Sequence, residues 1–576
     1  MLKKYAEFVK GYEKETLITI ISVVVEVIID VIIPLLMANI IDKGITNGQM
    51  NQILKFGLYL VLCCIVSIVS GALSGWFCAK ASAGFALNLR DKIFDQIQLF
   101  SFTNIDKFST SSLVTRLTTD VTNVQNAFQV IVRICARAPL MIVFCTVMVF
   151  RINSQLALIF LAAIPVLGIG LVLLIMNATP MFEKAIAQYD NLNNIVQENI
   201  RGIRVVKGFS REKHEVSKFS KISSVIYKTY TRAETIVALN NPLLQFCLYT
   251  CTLVICYIGA HLIVNDNFTT GQLMSVLTYS SQILMSLIFL STVLVMVMVS
   301  RASLHRIAEV LDEKSDIQNQ ENVMSSNEYD IEFNNVSFKY KLEASKRALN
   351  SINIKIEAGK TIGIVGPTGS GKSSLVQLIP RLYDATEGQI LVGGVDVKNF
   401  DIEELRKHIS IVLQKNILFE GTILDNIRWG KPDATEDEVY HACVIAQADE
   451  FIQRLPDKYE TRIEQGGSNV SGGQKQRLCI ARALIGNPKI IIFDDSTSAV
   501  DTKTDALIQK NLQLSIPGST KITIAQRISS VENADMIIVL DNGEVESVGN
   551  HQELLKSSEI YREMYESQMN GGIANE

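Results

Sequence analysis

The sequence GPTGSGKS occupies residues 366–373, directly after the apolar run IGIV and directly before an amphipathic stretch that begins at Ser374. A strand, a glycine-rich loop and a helix in this order form a phosphate-binding loop, because glycines leave backbone N–H groups open to a phosphate. In such a loop Lys372 reaches the outer phosphates of a nucleotide, and the Ser373 hydroxyl holds Mg²⁺. The predicted nucleotide-binding residues here are Gly366, Pro367, Thr368, Gly369, Ser370, Gly371, Lys372, Ser373 and Ser374.

Further motifs accompany the phosphate loop in a characteristic order. VSGGQKQR occupies residues 470–477, the apolar strand IIIFD occupies 490–494, and SAVD occupies 498–501. Tyr340 precedes the loop, and Gln414 lies between the loop and VSGGQKQR. Taken together, these segments resemble the ATP-binding cassette of the ABC transporter family. The resemblance covers the whole chain, because a membrane domain of matching type precedes the cassette.

The resemblance assigns roles to individual residues. The implied cofactors are ATP and Mg²⁺, and the implied metal-binding residues are Ser373, Gln414 and Asp494. Tyr340 is the implied platform for adenine. The implied signature, which contacts ATP held by another cassette, consists of Ser471, Gly472, Gly473 and Gln474. Because each ATP in this family lies between two cassettes, the chain is predicted to function as a dimer.

Two positions depart from the family pattern. Asp495 stands where the family has a glutamate that orients the attacking water, and Gln526 stands where it has a histidine that reaches the γ-phosphate. Aspartate is one methylene shorter than glutamate, so Asp495 holds its carboxylate back from that water. The candidate catalytic residues are Asp495, Gln526 and Gln414. We predict that this site binds ATP well and hydrolyses it slowly.

The first half of the chain has the pattern of a membrane protein. The mean hydropathy of the chain is +0.25, and its apolar segments reach the ~20 residues that a helix needs to cross a bilayer. Those segments are residues 17–41, 53–77, 130–150, 156–176, 236–264 and 273–299. The long links after the second and fourth segments are rich in lysine and arginine, which marks the cytoplasmic side. The sequence predicts a multi-pass protein of a bacterial cytoplasmic membrane, with both termini and the cassette in the cytoplasm.

Two domains are predicted from this pattern. Residues 1–312 are expected to form an α-helical, six-helix membrane domain of the ABC exporter type, and 313–328 a polar linker. Residues 329–576 are expected to form an α/β nucleotide-binding domain of the P-loop NTPase class. The long links keep apolar residues at helical spacing, which predicts helical hairpins with short coupling helices at their tips. The predicted tips are near residues 110–117 and 202–211.

Charged residues within the apolar segments form two pairs. Glu26 and Asp30 are four residues apart in the first segment, as are Arg133 and Arg137 in the third, so each pair shares a helix face. Charged groups at membrane depth mark pathways or pair with each other. Glu26 and Arg137 lie at similar depth, ~20 Å from the outer ends of their helices, which predicts an ion pair. All four are candidate substrate-cavity residues. They either form a structural ion pair, or Glu26 and Asp30 attract cationic substrates.

The net charge and the cysteine content exclude further classes of function. The net charge of −4 gives no support for a nucleic-acid partner. The ten cysteines are interpreted as small buried hydrophobic residues rather than disulfides or metal ligands.

The resemblance and the two departures predict one subunit of a heterodimeric multidrug-type ABC exporter. The implied partners are a different half-transporter with the consensus glutamate and histidine, membrane lipids and small amphipathic substrates. The implied mechanism is alternating access driven by ATP hydrolysis at the partner's site. Two alternatives remain open: a homodimeric or heterodimeric exporter of lipids or peptides, and a regulatory subunit that only binds nucleotide.

Overall fold

The computed structural model describes residues 7–265, 267–320, 323–341, 346–495 and 500–573. The chain divides into two compact units. The membrane unit contains the residues up to Gln98 together with Thr110–Glu313, and the α/β unit contains Leu99–Ser109 together with Lys314–Glu576. The α/β unit is therefore assembled from two segments that are far apart in the sequence.

Long helices build the membrane unit. In chain order the helices up to residue 312 are α1 (Glu13–Asn39), α2 (Met50–Gln98), α3 (Phe102–Lys107), α4 (Thr110–Thr115), α5 (Val121–Val130), α6 (Ala136–Ile152), α7 (Ser154–Arg201), α8 (Ile203–Gly208), α9 (Glu212–Ala238), α10 (Asn240–Val264) and α11 (Thr270–Asp312). Only α3 of these belongs to the α/β unit. Turns of π-helix follow α1, precede α5 and precede α6, at Ile40–Ile45, Arg116–Asp120 and Ile131–Cys135.

Within the described residues, six helical stretches are long and apolar enough to cross a membrane. Apolar side chains point outward from them: in α2, Leu58 is 61% exposed and Ile68 is 72% exposed. Such a large exposed apolar surface is unfavourable in water but favourable against the hydrocarbon chains of lipid. At ~1.5 Å per residue, the 49 residues of α2 extend roughly 74 Å, more than twice the ~30 Å hydrocarbon core. The predicted six-helix membrane domain is confirmed.

The core of the membrane unit joins α1, α6, α7, α10 and α11. Val23, Val27, Cys145 and Phe160 are buried there together with Tyr279. Tyr279 donates a hydrogen bond from its hydroxyl to the backbone oxygen of Val31, at 2.6 Å. Pro34 has no N–H to donate to the Asp30 backbone oxygen four residues earlier, and the Gln282 side chain donates to that oxygen at 3.2 Å instead.

Two sheets form the α/β unit. Its strands are β1 (Ile331–Phe338), β2 (Leu349–Ile356), β3 (Thr361–Val365), β4 (Glu387–Val392), β5 (Val395–Asp396), β6 (Ile409–Val412), β7 (Gly421–Thr422), β8 (Arg462–Ile463), β9 (Ile490–Asp494), β10 (Thr520–Ile524), β11 (Met536–Asp541) and β12 (Glu544–Gly549). The order in the larger sheet is β12-β11-β3-β10-β9-β6, and in the smaller one β2-β1-β4-β5. The strands from β11 to β6 in the larger sheet run parallel, whereas β12 is antiparallel.

The helices of this unit cover the parallel strands. They are α12 (Lys372–Leu378), α13 (Ile402–His408), α14 (Ile423–Arg428), α15 (Glu436–Ile445), α16 (Asp449–Ile452), α17 (Gly472–Leu484), α18 (Thr502–Ser515), α19 (His551–Ser557) and α20 (Glu559–Ile573). Because β3, β9 and β10 are parallel neighbours, their carboxyl ends meet at one edge, where α/β sheets bind ligands. The predicted α/β class of this domain is confirmed.

The first predicted tip, residues 110–117, contains α4 in the membrane unit, and α3 is a short helix that belongs to the α/β unit. Ser101 begins α3 with a capping box, in which its hydroxyl accepts from the Asn104 amide and the Asn104 side chain accepts from the Ser101 amide. This local signal starts the helix eight residues before the predicted tip begins. The second predicted tip, 202–211, contains α8.

Candidate functional site

The phosphate loop follows β3 and turns sharply through residues with positive φ. Gly366 has φ of +147°, and Gly371, directly before α12, has φ of +99°. A Cβ atom on Gly366 would lie 2.0 Å from the backbone oxygen of Leu540 in β11. Only glycine fits there, so the loop can pass close to the neighbouring strand. The Lys372 ammonium donates to the Gly366 and Pro367 oxygens, at 2.8 and 2.7 Å.

The loop meets the end of β9 through Ser373 and Asp494. The Ser373 hydroxyl donates to a carboxylate oxygen of Asp494, and the two oxygens are 2.8 Å apart. Burial raises the pKa of the Asp494 carboxyl, although the hydrogen bond from Ser373 opposes this. Burial also lowers the pKa of the Lys372 ammonium, against the attraction of Asp495 and Asp494. A carboxylate and a hydroxyl held together in a buried position are oxygen ligands that fit Mg²⁺, so the residues present suit MgATP.

Asp495 lies at the centre of a small hydrogen-bond network. One of its carboxylate oxygens, Oδ2, accepts from the Gln526 amide at 2.6 Å and from the Gln414 amide at 3.4 Å. Its backbone N–H donates to the oxygen of Ile524 at the end of β10. Its φ of +48° is left-handed, a region that aspartate enters more readily than most residues. All three predicted catalytic residues are therefore brought together.

Gln568 in α20 completes this network and was missed by the sequence analysis. Its side chain donates to the Gln526 backbone oxygen at 2.9 Å and accepts from the Ile528 backbone N–H at 2.9 Å. The last helix of the chain thus holds the loop that carries Gln526. No local motif marks Gln568, because its role depends on how α20 packs beside the loop after β10.

The predicted adenine platform belongs to a cluster of aromatic rings. Tyr340 is 45% exposed, and its hydroxyl lies 2.9 Å from that of Ser374 at the start of α12. Its ring meets Phe338 and Tyr383 edge to face, with centroids 4.8 and 5.3 Å away. A partly exposed ring held from behind suits stacking on a base.

Tyr383 also holds the segment from Leu99 to Ser109. Its hydroxyl donates to the Asp106 carboxylate at 2.8 Å, and the ring of Phe102 lies 5.8 Å from its own ring. Burial is the largest cause that raises the pKa of Tyr383, and the bond to Asp106 raises it further. α3 is thus connected to the aromatic cluster that contains Tyr340.

The predicted signature begins α17. The Ser471 hydroxyl accepts from the Gln474 backbone, and the Gln474 side chain accepts from the Ser471 N–H, which is a capping box. Gly472 and Gly473 occupy the first turn between them. α17 packs in a hydrophobic cluster with β9 and α15, separate from the cluster under the phosphate loop. Of the predicted SAVD segment, Ser498 and Ala499 lie outside the described residues, and Asp501 caps α18.

The charged residues of the membrane unit come together around Arg137. Its guanidinium donates through Nη1 to Glu26 at 2.7 Å and through Nη2 to Asp30 at 2.8 Å. The predicted ion pair of Glu26 with Arg137 is present, and Asp30 shares the same arginine. Arg133 lies beside Arg137 in the wall of a cavity.

Comparisons with known proteins match both halves of the chain. Residues 16–287 match the family described as ABC transporter transmembrane region, and residues 349–498 match the family described as ABC transporter. YfiB of Bacillus subtilis, an uncharacterized ABC transporter ATP-binding protein, is 36% identical over 567 residues, which is 98% of each chain. The chain belongs to the ABC transporters. Another uncharacterized ABC transporter ATP-binding protein, MT1311 of Mycobacterium tuberculosis, is 34% identical over 544 residues, 92% of each chain.

A solved structure shares the fold of this ABC transporter. A bacterial Atm1-family ABC exporter with ATP bound superposes with a TM-score of 0.85, covering 97% of this chain and 98% of that one, at 24% identity. The transporter therefore combines a membrane domain and an ATPase domain in one multi-pass chain. An ATPase domain of this family implies ATP hydrolysis coupled to transport.

Proposed function

We propose that this chain is one subunit of a heterodimeric, ATP-driven exporter of amphipathic or drug-like compounds, and that its own ATP site is degenerate. The observation that carries the proposal is the network at Asp495. The carboxylate at the position of the attacking-water residue accepts hydrogen bonds from Gln526 and Gln414. Both amides engage the same oxygen, Oδ2, so this oxygen is already held by the protein and is poorly placed to orient a water.

The expected loss of hydrolysis is large. General-base positioning contributes roughly 10²–10⁴ in rate, and a shorter side chain misplaces the base by about the length of one bond. Gln526 contributes an amide in place of an imidazole, so it lacks a group that titrates near neutral pH. The binding residues Lys372, Ser373 and Asp494 remain in place, which supports binding of ATP without rapid turnover.

Two features support a second chain as partner, and the degenerate site supports a partner that differs from this chain. The signature at the start of α17 is intact, and in this family it serves the ATP held by another cassette. In addition, the hairpin of α7, α8 and α9 ends in exposed apolar side chains, with Val205 62% exposed and Phe209 76% exposed. Such a surface is unfavourable in water unless another chain covers it. With a consensus glutamate and histidine, the partner would hold the catalytic site.

The proposed cycle is alternating access. ATP binding at both sites brings the two cassettes together and turns the cavity outward, and hydrolysis at the partner's site resets it. The basic links after the second and fourth membrane segments support a cytoplasmic position for the ATPase domain and both termini. Mg²⁺ bound by Ser373 and Asp494 would neutralise phosphate charge, whereas Lys372 would bind the phosphates at both stages of the cycle.

Steady-state ATPase activity tests this proposal. We would measure the chain alone, the chain with a partner that carries the consensus residues, and that pair with Asp495→Glu and Gln526→His combined in this chain. The expected results are negligible activity alone, robust activity in the pair, and an increase with the double substitution. A Ser373→Ala pair is the control for lost Mg²⁺ binding. Robust activity of the chain alone would refute the degenerate site, and ATP hydrolysis by the pair without transport of any amphiphile would favour a regulatory subunit.

A further inference from the structure

A cavity of about 360 Å³ lies within the membrane unit. This volume is at the lower end of the range for small-molecule pockets. The wall has a polar part, in which Gln282 of α11 faces the charged residues of α1 and α6, and an apolar part. The wall includes Asp30, Arg133, Arg137, Gln282, Met285 and Phe289.

The acidic charge at this cavity is already engaged. Arg137 uses one arm of its guanidinium for Glu26 and the other for Asp30. The side chains of Glu26 and Asp30 are only 10% and 19% exposed. Glu26 does not line the cavity, and Asp30 lines it with its carboxylate held by Arg137. The two carboxylates share one guanidinium, so the group keeps a net negative charge, but each carboxylate is already bonded to Arg137.

Arg133 adds a positive charge to the wall of this cavity. It lines the cavity, yet no carboxylate in the described part of the chain forms an ion pair with it. At ~1.5 Å per residue, it lies roughly 28 Å from the end of α6 at Ile152, near the inner edge of the hydrocarbon core. At this edge an arginine costs little, because a long side chain near the end of a membrane helix reaches the polar interface, where its guanidinium meets water or an anion.

The backbone around Arg133 is unusual too. Arg133 sits in the π-helical turn Ile131–Cys135, between α5 and α6. π-Helical turns occur mostly as single insertions within α-helices and are frequent at functional sites. Arg133 therefore combines an irregular helical turn, a cavity and the absence of a protein counter-ion in the described residues.

We infer that this cavity binds an amphipathic anion, with its anionic group on Arg133 and its apolar part against Met285 and Phe289. The inference rests on the proposed export function and names the class of substrate. A guanidinium binds a carboxylate, sulfonate or phosphate through two parallel N–H donors. The Gln282 amide already donates to the Asp30 backbone oxygen at 3.2 Å, and the small volume favours a compound with one chain or ring system over a whole phospholipid.

Binding without ATP tests the inference. The transporter, purified through a tag on this chain with the partner that co-purifies, is placed in phosphatidylcholine nanodiscs and titrated with three fluorescent probes. They are a dansyl-labelled fatty acid, its methyl ester, and an analogue ending in a quaternary ammonium. The acid is expected to bind about tenfold more tightly than the ester. Arg133→Gln should remove this difference, and Arg133→Lys should leave part of it, because lysine keeps the charge without the fork.

Arg151→Gln is the matched control, since Arg151 is exposed and lies near the end of α6, the helix that follows the turn with Arg133. It should bind the acid like the unchanged protein. Equal affinity for acid and ester, an Arg133→Gln protein that still prefers the acid, or tightest binding of the ammonium probe would overturn the inference. Displacement of the acid by phosphatidylglycerol discs would assign Arg133 to a lipid headgroup instead and would also overturn it.

The two proposals fail separately. The titration uses no ATP, so a failed heterodimer or degenerate site leaves its result unchanged. Conversely, the ATPase comparison at Asp495 contains no amphiphile, so a failed anion site leaves that result unchanged.

Discussion

Replacing Gln568 with alanine is expected to loosen the loop that carries Gln526. The side chain of Gln568 makes two hydrogen bonds of 2.9 Å, one with the Gln526 oxygen and one with the Ile528 N–H. A neutral hydrogen bond contributes about 0.5–1.5 kcal/mol net. Both lie at a partly exposed position, so we expect the loop to lose about 1–2 kcal/mol of local stability, which corresponds to a roughly 5–30-fold change in opening.

Hydrogen exchange of the Ile528 amide measures this loss directly, because that amide is itself one of the two donors. Gln568→Ala should raise its exchange rate by roughly 5–30-fold without lowering the thermal unfolding temperature of the whole protein. Gln568→Glu should raise it less, since the carboxylate still accepts from Ile528 but no longer donates to Gln526. Met569→Ala is the control on the same helix, because Met569 is 56% exposed. The role of α20 would be refuted if the Ile528 amide exchanged at its original rate in Gln568→Ala. It would also be refuted if Met569→Ala raised that rate as much as Gln568→Ala does.

Two other perturbations follow from the described contacts. Arg137→Leu should destabilise the protein by about 3 kcal/mol, at the low end for a broken buried pair because Arg137 is partly exposed. Adding Glu26→Gln and Asp30→Asn should restore most of the lost stability, because no buried carboxylate is then left without its arginine. Thermal unfolding in detergent measures this, and a triple variant no more stable than Arg137→Leu alone would contradict the shared ion pair. Tyr383→Phe should cost about 1.5–3 kcal/mol, since it removes a hydrogen bond to the charged Asp106. Faster hydrogen exchange confined to residues 99–109 is the expected readout, and unchanged exchange there would argue against this contact.

Local patterns predicted much of this molecule. The six membrane segments and the phosphate loop are encoded in continuous stretches, so hydropathy and glycine spacing indicated them. The meeting of Ser373 with Asp494 follows from parallel strands that end at one edge. The pairing of Glu26 with Arg137 required only a count of depth along two helices.

Other features depend on contacts that no sequence window contains. Gln568 is 42 residues from Gln526, and only the packing of α20 brings them together. Asp30 shares Arg137 with Glu26 because a guanidinium can donate through both of its terminal nitrogens. Counting residues along the two helices predicted only Glu26 as a partner. The start of α3 was not predicted, although its capping residues Ser101 and Asn104 lie close together in the sequence.

The position of α3 has a consequence for how the chain is made. Asp106 is synthesised 277 residues before Tyr383, its hydrogen-bond partner. At about 5–20 residues per second, the ribosome needs roughly 14–55 s to bridge that interval. During this time Phe102 has no Tyr383 ring to pack against, so α3 stays without its aromatic partner in the nascent protein. Docking of α3 is therefore a late step of biogenesis, and a fragment that starts at residue 314 lacks a part of the α/β unit that translation produced first.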